Sequence, residues 1–284
     1  MKTAALTILA LVAFAANSLL CRGALAPGTI DAASFTLTRI AAGALTLAVL
    51  VRAREDRGSP SPRGPALPAR RELASPVALF AYAIAFSLAY LRLSTGTGAL
   101  ILFGVVQVTM ISAGIRGGER PPLAAWLGSL LAVLGLVALL LPGVTSPDPA
   151  GALLMAVAGV AWGVYTLRGR GASDPLAVTA RNFSSSVPLA IGAFVVALAV
   201  GVRAEPRGLA LAALSGSIAS GLGYAAWYTA LRGLTATRAA VLQLSVPVLA
   251  ATGGVLFLGE AVTARLVVCA CAILGGIALV VLRR

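Results

Sequence analysis

The stretch TGALILFGVVQVTMISAGI, residues 97–115, contains no charged side chain. A helix rises about 1.5 Å per residue, so roughly 20 apolar residues cross the hydrocarbon core of a bilayer. Because lipid offers no hydrogen-bond partners to the backbone, such a segment is expected to be α-helical. This stretch therefore predicts a membrane-spanning helix.

Nine further segments of similar length and composition fill almost all of the remaining chain. The ten predicted spans are residues 3–21, 34–52, 75–93, 97–115, 122–141, 151–169, 176–200, 208–231, 236–258 and 263–282. Only 11% of the residues are charged, whereas a soluble domain carries about 25%. The first segment lacks a small-x-small cleavage site followed by a soluble domain, so it is expected to be a retained helix. We predict one all-α integral membrane domain with ten transmembrane helices.

Positive charges are distributed unequally between alternate loops. Of the 22 Lys and Arg residues, 15 fall on one side of the predicted membrane and five on the other. Such an excess is typical of cytoplasmic loops. We therefore predict a multi-pass membrane protein, with both termini and the linker at residues 52–74 in the cytoplasm. The net charge of +13 then reflects orientation and contact with anionic membrane lipids, and no nucleic-acid partner is expected.

The predicted helices form two blocks of five, residues 1–145 and 146–284. Gly118-Glu119 and Gly259-Glu260 each end the fourth span of their block, 141 residues apart. Because five is an odd number, the second block enters the membrane from the opposite side. Two similar blocks of opposite orientation predict an inverted-topology repeat around a central cavity, which is typical of alternating-access transporters.

Several of these features together resemble the EamA-type drug/metabolite transporters. They include the five-helix blocks, the two Gly-Glu pairs, an arginine early in each second helix, Ala161-Trp162-Gly163 in the helix that opens the second block, and Pro247 in the ninth span. The resemblance covers nearly all 284 residues and is closest to bacterial exporters of aromatic and other neutral amino acids. The first block departs from the pattern, with Ala15-Ala16-Asn17 in place of Ala-Trp-Gly and Val106 in place of the proline. The resemblance therefore implies a transporter of the bacterial inner membrane whose two halves contribute unequally to its site.

The predicted spans are poor in titratable groups. No Asp, Glu or Lys lies in the middle of a span, and the chain has no histidine. Proton-coupled transport typically needs an intramembrane titratable group, so facilitated transport is favoured over tight coupling to protons or sodium. Acid–base catalysis and metal sites need the same missing side chains, so we expect no enzyme, metal or cofactor. A channel remains an alternative, because an inverted repeat does not exclude one.

The few polar and aromatic side chains deep in the spans are the candidate substrate-binding residues. They are Tyr82, Gln107, Trp162, Tyr224, Trp227 and Gln243. Tyrosines nearer the predicted membrane surfaces, Tyr90, Tyr165 and Tyr228, are equally typical of an interfacial aromatic belt. A site of aromatic faces, hydroxyls and amides suits neutral amphiphilic solutes. We predict neutral amino acids as substrates, aromatic ones, Met and Thr among them, with drug or nucleoside-type metabolites as the alternative.

Five further residues are candidates for gating or structural roles. They are Arg39, Arg181, Pro247, Glu119 and Glu260. The two arginines lie near the ends of predicted spans, so each either extends to the membrane surface or forms an electrostatic gate near one mouth. The two glutamates lie at helix ends, where capping is the simpler interpretation. The sequence leaves open whether the protein is a monomer or a homodimer.

The eighth predicted span is unusually rich in small residues. Ser215-Gly216-Ser217 is followed closely by Ser220-Gly221 and Gly223. Small residues let helices pack closely in membranes. We expect part of this helix to bend or to face the cavity.

Overall fold

The computed structural model describes residues 2–56, 73–117, 123–141, 143, 146–169, 172, 174–231, 242–243 and 245–282. Almost all of this part of the chain is helical, and within it the only β-type pairing is an isolated bridge between Ile30 and Ala204. Glu119, a candidate for capping or gating, lies outside the described residues.

The described helices follow the order of the predicted spans. They are α1 (Lys2–Leu25), α2 (Ala32–Glu55), α3 (Ala74–Tyr90), α4 (Thr95–Arg116), α5 (Leu123–Leu140), α6 (Pro149–Gly169), α7 (Pro175–Leu198), α8 (the contiguous stretches Pro206–Leu214, Ser215–Leu222 and Gly223–Leu231), α9 (Ser245–Leu258) and α10 (Ala264–Leu282). Among the described residues, α1, α2, α4, α6, α7 and α8 are long and apolar enough to cross a membrane, and the other four contain shorter apolar helices. The predicted all-α membrane class is confirmed.

Helices α2 and α7 both begin at an aspartate that caps their first turn. Asp31 Oδ1 accepts hydrogen bonds from the backbone N–H groups of Ala33 and Ser34, at 3.0 and 2.9 Å. Asp174 Oδ1 accepts one from the N–H of Ala177 at 3.2 Å, with Pro175 in the first helical position. A carboxylate here satisfies N–H groups that have no partner within the helix.

The same two aspartates show that α2 and α7 lie side by side and antiparallel. Asp31, at the start of α2, accepts a hydrogen bond at 3.0 Å from the N–H of Arg203, which follows α7. Arg54, in the last turn of α2, forms a two-pronged ion pair with Asp174 at the start of α7. We call the two ends of the bundle the Asp31 end and the Asp174 end.

Helices α3 and α6 form a second antiparallel pair, since each end of one contacts the opposite end of the other. Arg92, just after α3, forms an ion pair with Asp148, just before α6, at 3.5 Å. Arg168, in the last turn of α6, donates a hydrogen bond at 3.0 Å to the hydroxyl of Ser75 near the start of α3. Helices α5 and α10 pack mainly on each other and reach the rest of the bundle through α4.

The loops that precede α2 and α8 are joined at the Asp31 end. The N–H of Glu205 donates to the carbonyl of Thr29, and the N–H of Asp31 donates to the carbonyl of Arg203, both at 2.8 Å. Gly28 turns the first loop with a φ of 72°, which costs a glycine little. These bonds connect residues of the two predicted blocks.

Replacing Asp31 with alanine is expected to lower the free energy of unfolding by about 1–2 kcal/mol, because both the cap and the bond to the second loop are lost. Burial acts to raise the pKa of Asp31, but hydrogen bonds from Ser34, Arg203 and Ala33 outweigh it and lower the pKa. The contribution of this carboxylate is therefore fully present above its unfolded pKa of about 3.8 and is lost as the pH falls through the lower folded value.

Thermal unfolding of the purified protein in detergent checks this expectation. The difference between wild type and Asp31→Ala should be largest at pH 7 and should shrink below pH 4. Asp31→Asn is the matched control, since asparagine keeps the cap through its oxygen, has no charge to titrate, and replaces the Oδ2 that accepts from Ser34 and Arg203 with a nitrogen that cannot accept. Equal unfolding temperatures for all three proteins at pH 7 would contradict the contact.

Helix α8 departs from regular α-helical geometry in its middle. Residues Ser215–Leu222 are π-helical. A Cβ atom on Gly216 would lie 2.1 Å from the carbonyl oxygen of Arg39, so the backbones of α8 and α2 are in direct contact there. The sequence predicted a bend or a cavity-facing stretch, and the structure shows a π-helical stretch packed on α2. Such stretches occur frequently at functional sites.

Candidate functional site

A fully buried arginine lies at the centre of the bundle. Arg39, on α2, is 2% exposed. Its Nη2 donates a hydrogen bond to the hydroxyl of Tyr82 at 3.0 Å, and its Nε donates to Ser220 Oγ at 3.3 Å. The guanidinium carbon also lies 5.1 Å from the ring centroid of Tyr82 and 5.2 Å from that of Phe86. The interpretation of Arg39 as a side chain that extends to the membrane surface is therefore wrong, because helices α3 and α8 enclose it.

A chain of polar side chains connects Arg39 to α1. The amide nitrogen of Asn17 donates to the hydroxyl of Tyr82 at 3.1 Å, and Ser215 Oγ donates to the amide oxygen of Asn17 at 2.6 Å. Together with Ser220 these residues form what we call the Arg39 network: Asn17, Arg39, Tyr82, Ser215 and Ser220. Its members come from α1, α2, α3 and α8.

Aromatic rings pack against one side of the Arg39 network. The ring of Trp162 lies 4.9 Å from that of Tyr82 and 5.0 Å from that of Tyr224, between centroids. Phe14 bridges this group to Trp227 at 5.7 Å. All these rings are buried. Four of the six predicted substrate-binding residues therefore lie in one group. We define the ring cluster as Phe14, Tyr82, Trp162, Tyr224 and Trp227.

The two predicted glutamines lie outside the ring cluster. Gln107 on α4 is 5% exposed and Gln243, just before α9, is 7% exposed. For neither residue does the side chain donate or accept a hydrogen bond with any residue that the structure describes. Helix α4 nevertheless reaches α6 close to Gln107, because Thr109 packs against Gly163, next to Trp162.

The interpretation of Tyr90 and Tyr165 as members of an interfacial belt is wrong. Tyr90 is 0% and Tyr165 is 2% exposed. Tyr90 donates a hydrogen bond to the carbonyl of Thr95 at 3.2 Å. Tyr165 and Asn182 line a void of about 10 Å³ beside the half-buried Tyr228, which is roughly the space of one water molecule.

Within the described residues, no hydrogen bond or ion pair joins Arg181 or Pro247 to the Arg39 network. Arg181 is partly exposed and forms no ion pair within the described ranges, so it differs from Arg39 despite the matching position in its block. Pro247 lines an apolar groove of about 590 Å³ between α4, α9 and α10. The two halves thus supply different side chains at corresponding positions.

Glu260 joins three helix ends at the Asp31 end. Its carboxylate accepts hydrogen bonds from the N–H of Thr95 at 2.8 Å and from the Thr95 hydroxyl at 3.1 Å, which caps α4. Arg22, near the end of α1, forms an ion pair with it at 3.5 Å. Gly259, with a φ of 64°, makes the turn after α9 that directs the carboxylate back to α4. We call Arg22, Thr95 and Glu260 the Glu260 clasp.

Three members of the Arg39 network were not among the predicted site residues. Asn17 stands where the resemblance expects a glycine, and that departure was the available signal. Ser215 and Ser220 are five residues apart, so an ideal α-helix would place them about 140° apart. A π-helical stretch has a wider turn, and it brings both serines into one network.

Comparison with known proteins identifies the family. The model of the EamA-like transporter family matches residues 149–282. The uncharacterized protein PA1977 of Pseudomonas aeruginosa is 54% identical over 283 residues, which cover 100% of this chain and 96% of that protein. The chain belongs to the EamA-like transporter family. A crystal structure of another protein matches 99% of this chain and 99% of its own with a TM-score of 0.66 at 19% identity, so the two proteins share a fold.

The candidate site of this EamA-like transporter combines hydrogen-bond donors with apolar ring faces. The Arg39 network offers amide, hydroxyl and guanidinium donors, and the ring cluster offers apolar faces. Within the described residues, no three His, Cys, Asp or Glu side chains are placed to hold a metal ion. The single formal charge of the network is the positive charge of Arg39, which disfavours the binding of cationic solutes.

Proposed function

We propose that this chain is an inner-membrane transporter that exports small neutral metabolites, most of all amino acids, by alternating access. The observation that carries the proposal is the contact between the Arg39 network and the ring cluster at the meeting point of α1, α2, α3, α6 and α8. Polar donors beside aromatic faces form a site for a small solute with one polar and one apolar part.

Charge supports neutral amino acids over basic ones. A cationic side chain in this site would be buried without a negative partner from the network, which costs several kcal/mol. Aromatic and thioether side chains gain about 0.5–1.5 kcal/mol from each contact with a ring such as Trp162 or Tyr224. Phenylalanine and methionine fit this chemistry better than lysine.

The proposed architecture is ten transmembrane helices in two inverted five-helix repeats, residues 1–145 and 146–284, within one membrane domain. Tyr82 and Tyr224 support it, since they occupy α3 and α8 at an offset of 142, the same offset that separates the two arginines. The packing also supports it. In the proposed repeat α1 corresponds to α6 and α3 to α8, so the contact of α3 with α6 should be matched by a contact of α8 with α1, and both contacts are present.

Alternating access requires contacts that close one mouth and later open. We infer that the Glu260 clasp and the Asp31–Arg203 bonds close the Asp31 end, and that Glu119, Arg181 and Pro247 act in gating or hinge motion elsewhere. The Glu260 clasp and the Asp31–Arg203 contacts consist of ion pairs and hydrogen bonds. Water can therefore replace either partner when the Asp31 end opens. With no carboxylate in the Arg39 network, transport is proposed to be facilitated rather than tightly coupled to protons or sodium.

The orientation proposal rests on the distribution of positive charge. The Asp174 end and both termini are placed in the cytoplasm, because 15 of the 22 Lys and Arg residues lie on that side of the predicted topology. A phosphatase reporter fused after Arg284 should be inactive, and a green fluorescent reporter there should be bright. An active phosphatase at this position would contradict the orientation.

Competition for uptake tests the proposed substrate class. Proteoliposomes that contain the purified protein should take up labelled phenylalanine, and unlabelled methionine or tryptophan should reduce that uptake more than lysine, arginine or glutamate at equal concentration. Empty liposomes give the background. Stronger competition by lysine than by methionine would overturn the proposed class, and competition by nucleosides alone would favour the nucleoside-type alternative.

A further inference from the structure

The charge of Arg39 has no counter-charge in the structure. Arg39 forms no ion pair with any described residue, and the titratable groups that interact with it are Tyr82, Tyr224 and Cys21. Ring faces and hydroxyl groups offset part of the cost of burying a guanidinium. A buried charge is usually paired, and here none of the residues that the structure describes supplies a negative partner.

One donor of the guanidinium is also unused. Nη1 of Arg39 is buried and has no hydrogen-bond partner among the described residues, whereas Nε donates to Ser220 and Nη2 donates to Tyr82. Leaving a charged donor buried and unpaired is costly. An arginine of this kind, at the centre of a transporter, is equipped to receive an acceptor that arrives from outside the chain.

We infer that Arg39 is a specificity-determining residue, and that it binds the carboxylate of the transported substrate through Nη1. The inference rests on the proposed function and names the substrate group that the site recognises. A carboxylate supplies both the missing acceptor and the missing negative charge, which a carbonyl or hydroxyl would not do. The apolar part of the substrate would then contact the ring cluster, since Tyr82 touches both Arg39 and Trp162.

The amino group of a substrate has a weaker site available. The amide oxygen of Asn17 already accepts a hydrogen bond from Ser215, and the network contains no carboxylate. An ammonium group would therefore rely on ring faces such as those of Trp162 and Tyr224. The structure thus assigns more of the binding free energy to the carboxylate than to the amino group.

Four small ligands that share one phenyl ring separate these contributions. They are phenylalanine, phenylalaninamide, 3-phenylpropionate and phenethylamine. Binding to the purified full-length protein in detergent is measured by the quenching of tryptophan fluorescence and by the shift in unfolding temperature. Phenylalanine and 3-phenylpropionate should bind about 10-fold or more tightly than the other two, as expected for a hydrogen bond to a charged group. Sodium chloride is the inorganic-anion control.

Variants of Arg39 link this preference to the guanidinium. Arg39→Gln should bind 3-phenylpropionate and phenethylamine about equally, and Arg39→Lys should keep part of the preference, because it retains the charge but not the planar donor set. Arg207→Gln is the matched control, since it removes an exposed arginine of α8 that lies outside the Arg39 network and should leave the preference for carboxylates intact. If Arg39→Gln does not fold, the four ligands measured on the wild type decide whether the site prefers carboxylates.

The outcomes distinguish this inference from the proposed function. Equal binding of phenylalanine and phenylalaninamide overturns the role of Arg39 but leaves amino-acid transport in place. Binding of 3-phenylpropionate without phenylalanine supports the role of Arg39 and overturns amino-acid transport. The inference also fails if Arg39→Gln keeps the preference for carboxylates, if chloride matches 3-phenylpropionate, or if none of the four ligands binds.

Discussion

Gly216→Ala is expected to yield almost no folded protein. The new Cβ would lie 2.1 Å from the carbonyl oxygen of Arg39 and 3.0 Å from the Cβ of Ala42. The carbonyl oxygen of Arg39 belongs to the backbone, so no rotation of a side chain relieves the clash. Helices α8 and α2 must therefore separate. Overpacking of a core commonly costs 1–3 kcal/mol, and we expect about 3 kcal/mol or more here because the separation also breaks the bond between Arg39 and Ser220.

Size-exclusion chromatography and thermal unfolding in detergent measure this effect. The matched control is Gly192→Ala on α7, where a Cβ would meet no atom within 4 Å. That variant should elute and unfold like the wild type. A monodisperse Gly216→Ala protein with an unchanged unfolding temperature would show that α8 does not approach α2 as closely as described.

Trp162→Ala is expected to reduce transport up to about tenfold while folded protein remains. The indole contacts the rings of Tyr82 and Tyr224, so its removal takes away one face of the proposed site. A substrate that stacks on Trp162 would lose one ring contact of about 0.5–1.5 kcal/mol, which corresponds to roughly a two- to 13-fold loss of affinity. Part of the packing free energy of the bundle is lost as well, so uptake must be divided by the amount of folded protein.

Trp126→Ala provides the control for Trp162→Ala. Trp126, on α5, is 55% exposed, so the same change there removes an indole from the outer surface of the bundle. Its transport rate per folded molecule should match that of the wild type. If the two variants transport equally well, the substrate does not contact the ring cluster.

The sequence predicted the helices well because hydrophobicity over about 20 residues is a local property. The described helices match the order of the predicted spans, and the few deep aromatic residues were sufficient to find the ring cluster. In a membrane, an aromatic residue with a polar group far from both surfaces has few structural roles. The short list of such residues was therefore informative.

The sequence could not predict the surroundings of Arg39. Its distance from the helix end, counted along α2, suggested that it could reach the membrane surface. Its burial depends on α3 and α8, which are distant in sequence. The role of Ser215 and Ser220 depends on a π-helical turn, and the pairing of Glu260 with Thr95 depends on the packing of α4 against α9. Such contacts between distant helices are not encoded in any local pattern of residue types.

Counterflow in proteoliposomes tests the central claim most directly. Vesicles are loaded with unlabelled phenylalanine, diluted into labelled phenylalanine, and held without a proton or sodium gradient. Alternating access without tight ion coupling predicts that the label accumulates transiently above its external concentration, and that this overshoot disappears when the vesicles are loaded with buffer alone. Entry of label at the same rate from both preparations, or an absolute requirement for an ion gradient, would contradict the account.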